Sequence, residues 1–222
     1  MTRLVELGRT LAEGMDGINP RYAIRVRPFS THEQAAASAK GGATFEISEV
    51  SFQVPVGTYI DAPRTRDPGA RDIAALRLDE LVLPGVYVDL HGHGARSRAE
   101  VVPADLPDPG VLAGCALVVD FGRARHYGTP AYDEAPPYFP RATVEHLLKA
   151  GVKILAVDTR SPDGPDPEKP AHTLFLRADC FIVENLTGLE ALRGKRFRFF
   201  AIPLRVKDAT SFPIRAFAEI LD

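Results

Sequence analysis

The chain predicts an α/β fold: a mixed, barrel-like or layered sheet with a few flanking helices. Three observations predict it. Unbroken apolar runs at residues 116–119, 154–157 and 181–183 have the length of strands buried on both faces. Other stretches alternate apolar and polar residues, the pattern of strands with one covered face. Helical spacing is confined to few segments, so helices flank the sheet rather than make up the core.

Taken in order, residues 3–8 come first. Leu4, Leu7 and Leu11 fit helical spacing, but Gly8 weakens a helix there, and a strand is the reading adopted. Tyr22, Ile24 and Val26 alternate with Ala23, Arg25 and Arg27, and Phe45, Ile47 and Phe52 fall in the next extended run. Residues 71–81 form a helix or a series of turns. Val86, Val88 and Leu90 then alternate as a strand. The stretch 122–140, rich in Gly and Pro around His126, Tyr127 and Tyr132, reads as a loop long enough to be functional or mobile. A helix follows over Arg141–Ala150, with Val144, Leu147 and Leu148 on one face and Gly151 as its stop. Residues 187–192 make a short helix with Leu189 and Leu192 inward, ended by Gly194. Residues 196–206 are extended.

Composition narrows the function classes. The 222 residues are 45% hydrophobic and 25% charged, with a net charge of −2 and dispersed basic residues. That balance offers no electrostatic case for nucleic acid or an anionic membrane. No apolar run approaches a membrane span and no signal-peptide pattern opens the chain, so a cytoplasmic protein is expected. The length suits one domain over residues 1–222. Cys115 and Cys180 each sit in an apolar run and read as buried, reduced thiols.

The most informative stretch is Pro55-Val-Gly57-Thr58-Tyr59-Ile-Asp61-Ala-Pro63-Arg-Thr65. It resembles the metal-binding signature His-x-Gly-Thr-His-x-Asp-x-Pro-x-His of the cyclase family, which includes kynurenine formamidase and isatin hydrolase. Gly57, Thr58, Asp61 and Pro63 stand in register, whereas Pro55, Tyr59 and Thr65 occupy the histidine positions. Further segments resemble the family in the same order: the opening LVELGRTLAEGM, GVKILAVD with Ser161, AHTLFL around His172, IVENL around Glu184, and Pro203-Leu204 with Pro213-Ile-Arg215-Ala216. The resemblance implies a swivelling β/β/α-type domain, commonly a homo-oligomer (dimer or tetramer), with a divalent metal, zinc or manganese. It implies hydrolysis of an amide in a small molecule, of the N-formylkynurenine or isatin type.

Carried over residue by residue, the resemblance makes Asp61, His172 and Glu184 the metal ligands. One imidazole and two carboxylates suit a single divalent ion. Glu184 and Tyr59 are the catalytic candidates, Tyr59 through a phenol that can donate to a substrate oxygen. The substrate contacts are Tyr59 and His126, the latter because it lies in the long 122–140 loop and can line a pocket. Each residue also has an ordinary reading. Asp61 can bond its own loop backbone, His172 can be a loop histidine after Pro170-Ala171, and Glu184 can face the following helix N-terminus. Tyr59 can simply fill the space of an imidazole. The pair His91 and His93 has a metal-like spacing at a strand end, but its glycine-flanked setting reads as a solvated loop. The reading adopted is an arylformamidase-like metal-dependent hydrolase of a small cyclic or formyl amide. Its alternatives are a catalytically inactive member that binds a small ligand or partners an active homologue, and a metal-independent acid–base enzyme.

Overall fold

The computed structural model describes residues 3–15, 23–38, 43–93 and 99–221. The elements run β1 (Arg3–Glu6), β2 (Arg25–Ser30), α1 (His32–Ser38), β3 (Ile47–Ser51), β4 (Tyr59–Asp61), α2 (Leu78–Leu81), β5 (Val82–Asp89), α3 (Pro109–Leu112) and β6 (Ala116–Asp120). They continue with α4 (Arg141–Ala150), β7 (Ile154–Val157), α5 (Pro170–Arg177), β8 (Phe181–Glu184), β9 (Phe197–Phe200), β10 (Ser211–Pro213) and β11 (Phe217–Ile220).

Nine strands form one mixed sheet in the order β1-β11-β9-β5-β6-β7-β8-β4-β10, which curls into a half-barrel. The apolar runs occupy its middle. Strands β5, β6, β7 and β8 are parallel, and every other pairing in this sheet is antiparallel. Because side chains alternate along a strand, each run feeds two cores. Ala116, Val118, Ile154, Ala156, Phe181 and Val183 enter one core with Leu7, Leu81 and Phe199. Leu117, Val119, Leu155, Val157 and Ile182 enter the other, under Val144 and Leu147 of α4 and Ala171 and Phe175 of α5. Burial on both faces is what made these segments legible as uninterrupted apolar runs.

Several sequence expectations change in detail. Residues 71–81 resolve into a 3-10 turn at Ile73–Ala75 followed by α2. The short helix predicted at 187–192 is a 3-10 turn at Leu189–Leu192, with both leucines buried. Of residues 196–206 only β9 is a strand, and Pro203 rejoins the fold by a bridge to Ile214. Tyr22 lies outside the described residues, while Val26 pairs with Val50 in a separate two-stranded sheet of β2 and β3. Helix α4 ends as predicted, at Gly151 with φ 88°, whose N–H reaches Leu147 and Leu148 carbonyls. Cys115 and Cys180 are both buried and free. Among the described residues no helix is long and apolar enough to cross a membrane.

The stretch 122–140 is tied down along its length rather than left open. Asp158, at the end of β7, accepts the backbone N–H groups of Phe121, Arg123 and Ala124 at 3.0, 2.6 and 3.0 Å. Arg123 Nη2 donates to the carbonyls of Ala131, Tyr132 and Glu134. The buried Tyr132 hydroxyl lies 2.7 Å from Asn185 Oδ1 and 3.0 Å from the Asp158 carbonyl. The loop is thereby fastened to the ends of β6, β7 and β8.

Candidate metal centre

Strand pairing sets the first half of the site. Tyr59 and Asp61 are two residues apart in β4, so their side chains share a face. Antiparallel register places Tyr59 opposite Glu184 and Asp61 opposite Ile182, and directly opposed residues also share a face. Ile182 belongs to the core covered by α5. Asp61, Tyr59 and Glu184 therefore point toward that helix, from which His172 descends.

The sequence reading assigned no helix here, and its ordinary alternative of a loop histidine does not hold, since His172 lies in α5. Pro170 occupies the first turn, where a missing N–H costs nothing. Asp163 accepts the first-turn N–H groups of Ala171 and His172 at 2.7 and 3.2 Å. The same carboxylate meets His172 Nδ1 at 2.5 Å. That bond fixes the ring, and the other nitrogen, Nε2, lies 3.6 Å from Asp61 Oδ2 and 3.3 Å from Glu184 Oε1. One ligand atom from each of Asp61, His172 and Glu184 falls within 4.8 Å of the others. The three residues nominated in the sequence thus come together as a group able to hold a metal ion.

Asp163 is the member that sequence reasoning missed. The loop before α5 contains Asp163, Asp166 and Glu168, and nothing in their spacing marks one as the partner of His172. Tyr59 sits beside the group. Its hydroxyl donates to Glu184 Oε2. Thr65 Oγ1 lies 3.2 Å from Asp61 Oδ1 and 2.8 Å from the Thr210 carbonyl. His126 is on a 3-10 turn at Ala124–His126, where its Nε2 accepts from Arg125 Nε at 3.1 Å. Among the described residues no hydrogen bond or ion pair joins it to the three. His91 and His93 separate onto different carboxylates, Asp120 at 2.8 Å and Asp105 at 3.4 Å, and form no common ligand set.

The metal-free group holds protons that a cation would displace, and one orphaned acceptor. Glu184 is fully enclosed, its burial pushes the carboxyl pKa well above the usual range, and Oε1 has no hydrogen-bond partner despite its approach to Nε2. An orphaned buried acceptor is uncommon and calls for an occupant. Burial pulls the His172 pKa down, but the hydrogen bond to Asp163 and the nearby Asp61 outweigh it and raise it to about 9. Burial likewise pushes Asp163 up, yet the His172 bond and two backbone N–H groups leave it below its ordinary value. The donor set, one imidazole and two carboxylates that are largely buried, fits a divalent ion. A surface groove of about 590 Å³ lies along Leu11, Phe52, Phe212 and Ile214, and none of the three residues lines it.

The two shifts predict a pH dependence for the metal-free protein. The raised His172 contributes stability that is fully present below pH 6.5 and is lost as pH rises through about 9. The lowered Asp163 contributes stability present above pH 3.8 and lost as pH falls through its folded value. Chelated protein should therefore melt at a lower temperature at pH 9 than at pH 6. In Asp163→Asn that difference should shrink, and an unchanged difference would refute the assignment.

A half-barrel sheet with a buried His–Asp–Glu group set against one helix defines an α/β protein with a candidate metal centre. The chain belongs to the Cyclase family, whose sequence model matches residues 5–164. It is 34% identical to isatin hydrolase of Roseibium aggregatum over 74% of this chain and 71% of that protein. It is 27% identical to kynurenine formamidase of Delftia acidovorans over 85% of this chain and 87% of that protein. Its fold matches the structure of isatin hydrolase A from Labrenzia aggregata bound to benzyl benzoate. There the TM-score is 0.81 and the identity 18%, with 100% of this chain and 94% of the other covered.

Proposed function

We propose that this chain is a metal-dependent hydrolase of a small cyclic or formyl amide, organised as a single domain. The observation that carries the reading is the convergence of Asp61 Oδ2, His172 Nε2 and the unpartnered Glu184 Oε1. A divalent ion, zinc or manganese, would supply Lewis-acid polarisation of the amide carbonyl and acidify water at neutral pH. Asp61, His172 and Glu184 would hold it. Glu184 and Tyr59, joined by their hydrogen bond, form the pair that moves a proton between water and the leaving nitrogen. Burial of Tyr59, Asp61 and Glu184 keeps bulk water from that proton path. A substrate contact from His126 on the 122–140 loop belongs to the same proposal.

The proposal includes a homo-oligomer. The separate two-stranded β2–β3 sheet exposes Val26, Phe29, Ile47 and Val50, with Phe45 just before β3, at 45–69%. A two-stranded sheet is marginal on its own in water, and covering it with a second copy would bury this apolar surface.

Protein purified without chelator should carry close to one equivalent of a transition metal and open formamides or lactams in a metal-dependent way. Less than about a tenth of an equivalent, with none recovered on reconstitution, would overturn the reading, since functional sites bind stoichiometrically. A second reading, an inactive ligand-binding or partner subunit, is favoured by the absence of imidazole at Pro55, Tyr59 and Thr65. Turnover that vanishes in Glu184→Ala excludes it.

A further inference from the structure

The three candidate ligands share a feature that the ligand set alone does not require. Each has two atoms able to bind a metal, and in each the atom facing away from the common centre is already engaged. His172 is held at Nδ1 by Asp163. Glu184 is held at Oε2 by the Tyr59 hydroxyl. Asp61 is approached at Oδ1 by Thr65 Oγ1. The remaining atoms, Nε2, Oε1 and Oδ2, are those that approach one another.

We infer that Asp163, Tyr59 and Thr65 form a positioning ring for the metal centre, each fixing one ligand so that its free atom faces inward. The inference rests on the metal reading proposed above. Outer hydrogen bonds of this kind select the tautomer and orientation of a ligand before the ion arrives, so less is lost in ordering the site on binding. Each ring member has its own anchor. Asp163 is fixed by two backbone N–H groups of α5. Tyr59 is fixed by its strand pairing with both β8 and β10. Thr65 ends a 3-10 turn and reaches the Thr210 carbonyl. Two of the positions at which this chain departs from the histidine-rich motif are thereby reused as supports for the ligands that remain.

The ring is not uniform. Tyr59 has one proton and one acceptor, Glu184 Oε2, among its hydrogen bonds here. Thr65 has one proton for two acceptors, and the Thr210 carbonyl is the nearer. Its hold on Asp61 is a shared hydrogen bond. Removing the Tyr59 hydroxyl should therefore matter more than removing that of Thr65.

The test is titration of the metal-free protein with Zn²⁺, Mn²⁺ and Co²⁺, following affinity by competition with a chelating dye and ligand geometry by the visible spectrum of bound Co²⁺. Tyr59→Phe and Asp163→Ala should each weaken binding roughly 10–100-fold, the range typical of lost outer-shell partners. The Co²⁺ spectrum should shift at unchanged stoichiometry. Thr65→Val should weaken binding less, and Thr65→Ser should restore it. Melting of the metal-free forms separates loss of positioning from loss of fold, and the Thr65 pair keeps the test valid if Asp163→Ala unfolds. Wild-type affinity in both Tyr59→Phe and Thr65→Val overturns the ring while leaving the metal reading intact. A new tyrosinate absorbance on metal addition also overturns it, because Tyr59 would then be a ligand. Failure of the wild type to bind any of the three ions overturns the metal reading and the ring with it.

Discussion

Replacing His172 by alanine is expected to abolish metal retention and to lower kcat/KM for a formyl or cyclic amide by about three orders of magnitude or more. His172 supplies the only nitrogen of the set, and its Nε2 approaches both carboxylates. Without it Asp61 and buried Glu184 face each other with no cation between them, and their mutual repulsion favours protonation over metal binding. A Lewis acid is worth several kcal/mol of transition-state stabilisation, and each 1.4 kcal/mol is tenfold in rate. Glu184→Gln should do nearly as much damage, since it keeps the shape of the side chain and removes its charge. Metal content and amide turnover, measured beside a circular-dichroism check of the fold, decide the matter. A His172→Ala protein that retains a full equivalent of metal and wild-type turnover would remove the candidate centre from the mechanism.

Asp158→Ala is expected to be among the most destabilising single changes in the molecule, at about 3–6 kcal/mol. The carboxylate accepts three backbone N–H groups of the segment that follows β6, and an unsatisfied buried donor costs roughly 1–3 kcal/mol. Total stabilities are roughly 5–15 kcal/mol, so this loss threatens the fold. Asn at this position keeps one acceptor oxygen and should cost less. Burial outweighs the N–H bonds and pushes the Asp158 pKa up to about 6. The sign is that of a raised acid: its contribution is full below pH 3.8 and is lost as pH rises through about 6. Asp158→Asn should therefore flatten the stability profile between those values. Urea unfolding from pH 4 to 7 measures both effects, and a loss under about 1 kcal/mol in Asp158→Ala would show that the clasp does not hold the loop.

The sequence and the structure agree most closely where one physical cause acts alone. The runs in β6, β7 and β8 are apolar at every position because both faces are covered, and no tertiary knowledge is needed to see them. Helix α4 is legible for the same reason, from its spacing and from Gly151 in the left-handed conformation at its end. Strand β4 was invisible. Three residues carry too little periodicity, and Tyr59–Asp61 is a strand only because β8 and β10 pair with it. Helix α5 was hidden by its proline-rich approach and by a first turn whose N–H groups are satisfied by Asp163, seven residues before Pro170. The 122–140 loop has the composition of a loose segment, and its order comes from Asp158, Arg123 and Tyr132 acting across the ends of three strands.

For the site, the resemblance to the family's motifs is what nominates Asp61, His172 and Glu184, and one imidazole with two carboxylates then suits a cation. By itself the sequence determined the family, the buried centre of the sheet and the identity of that group. Tertiary structure alone decided what each side chain faces. Strand register set Tyr59 against Glu184, and a fold-back of the chain chose Asp163 over its acidic neighbours as the partner of His172. The physical reason is range. Burial and helical spacing leave their mark on adjacent residues, whereas a hydrogen bond between positions 59 and 184 depends on a pairing that no local pattern records.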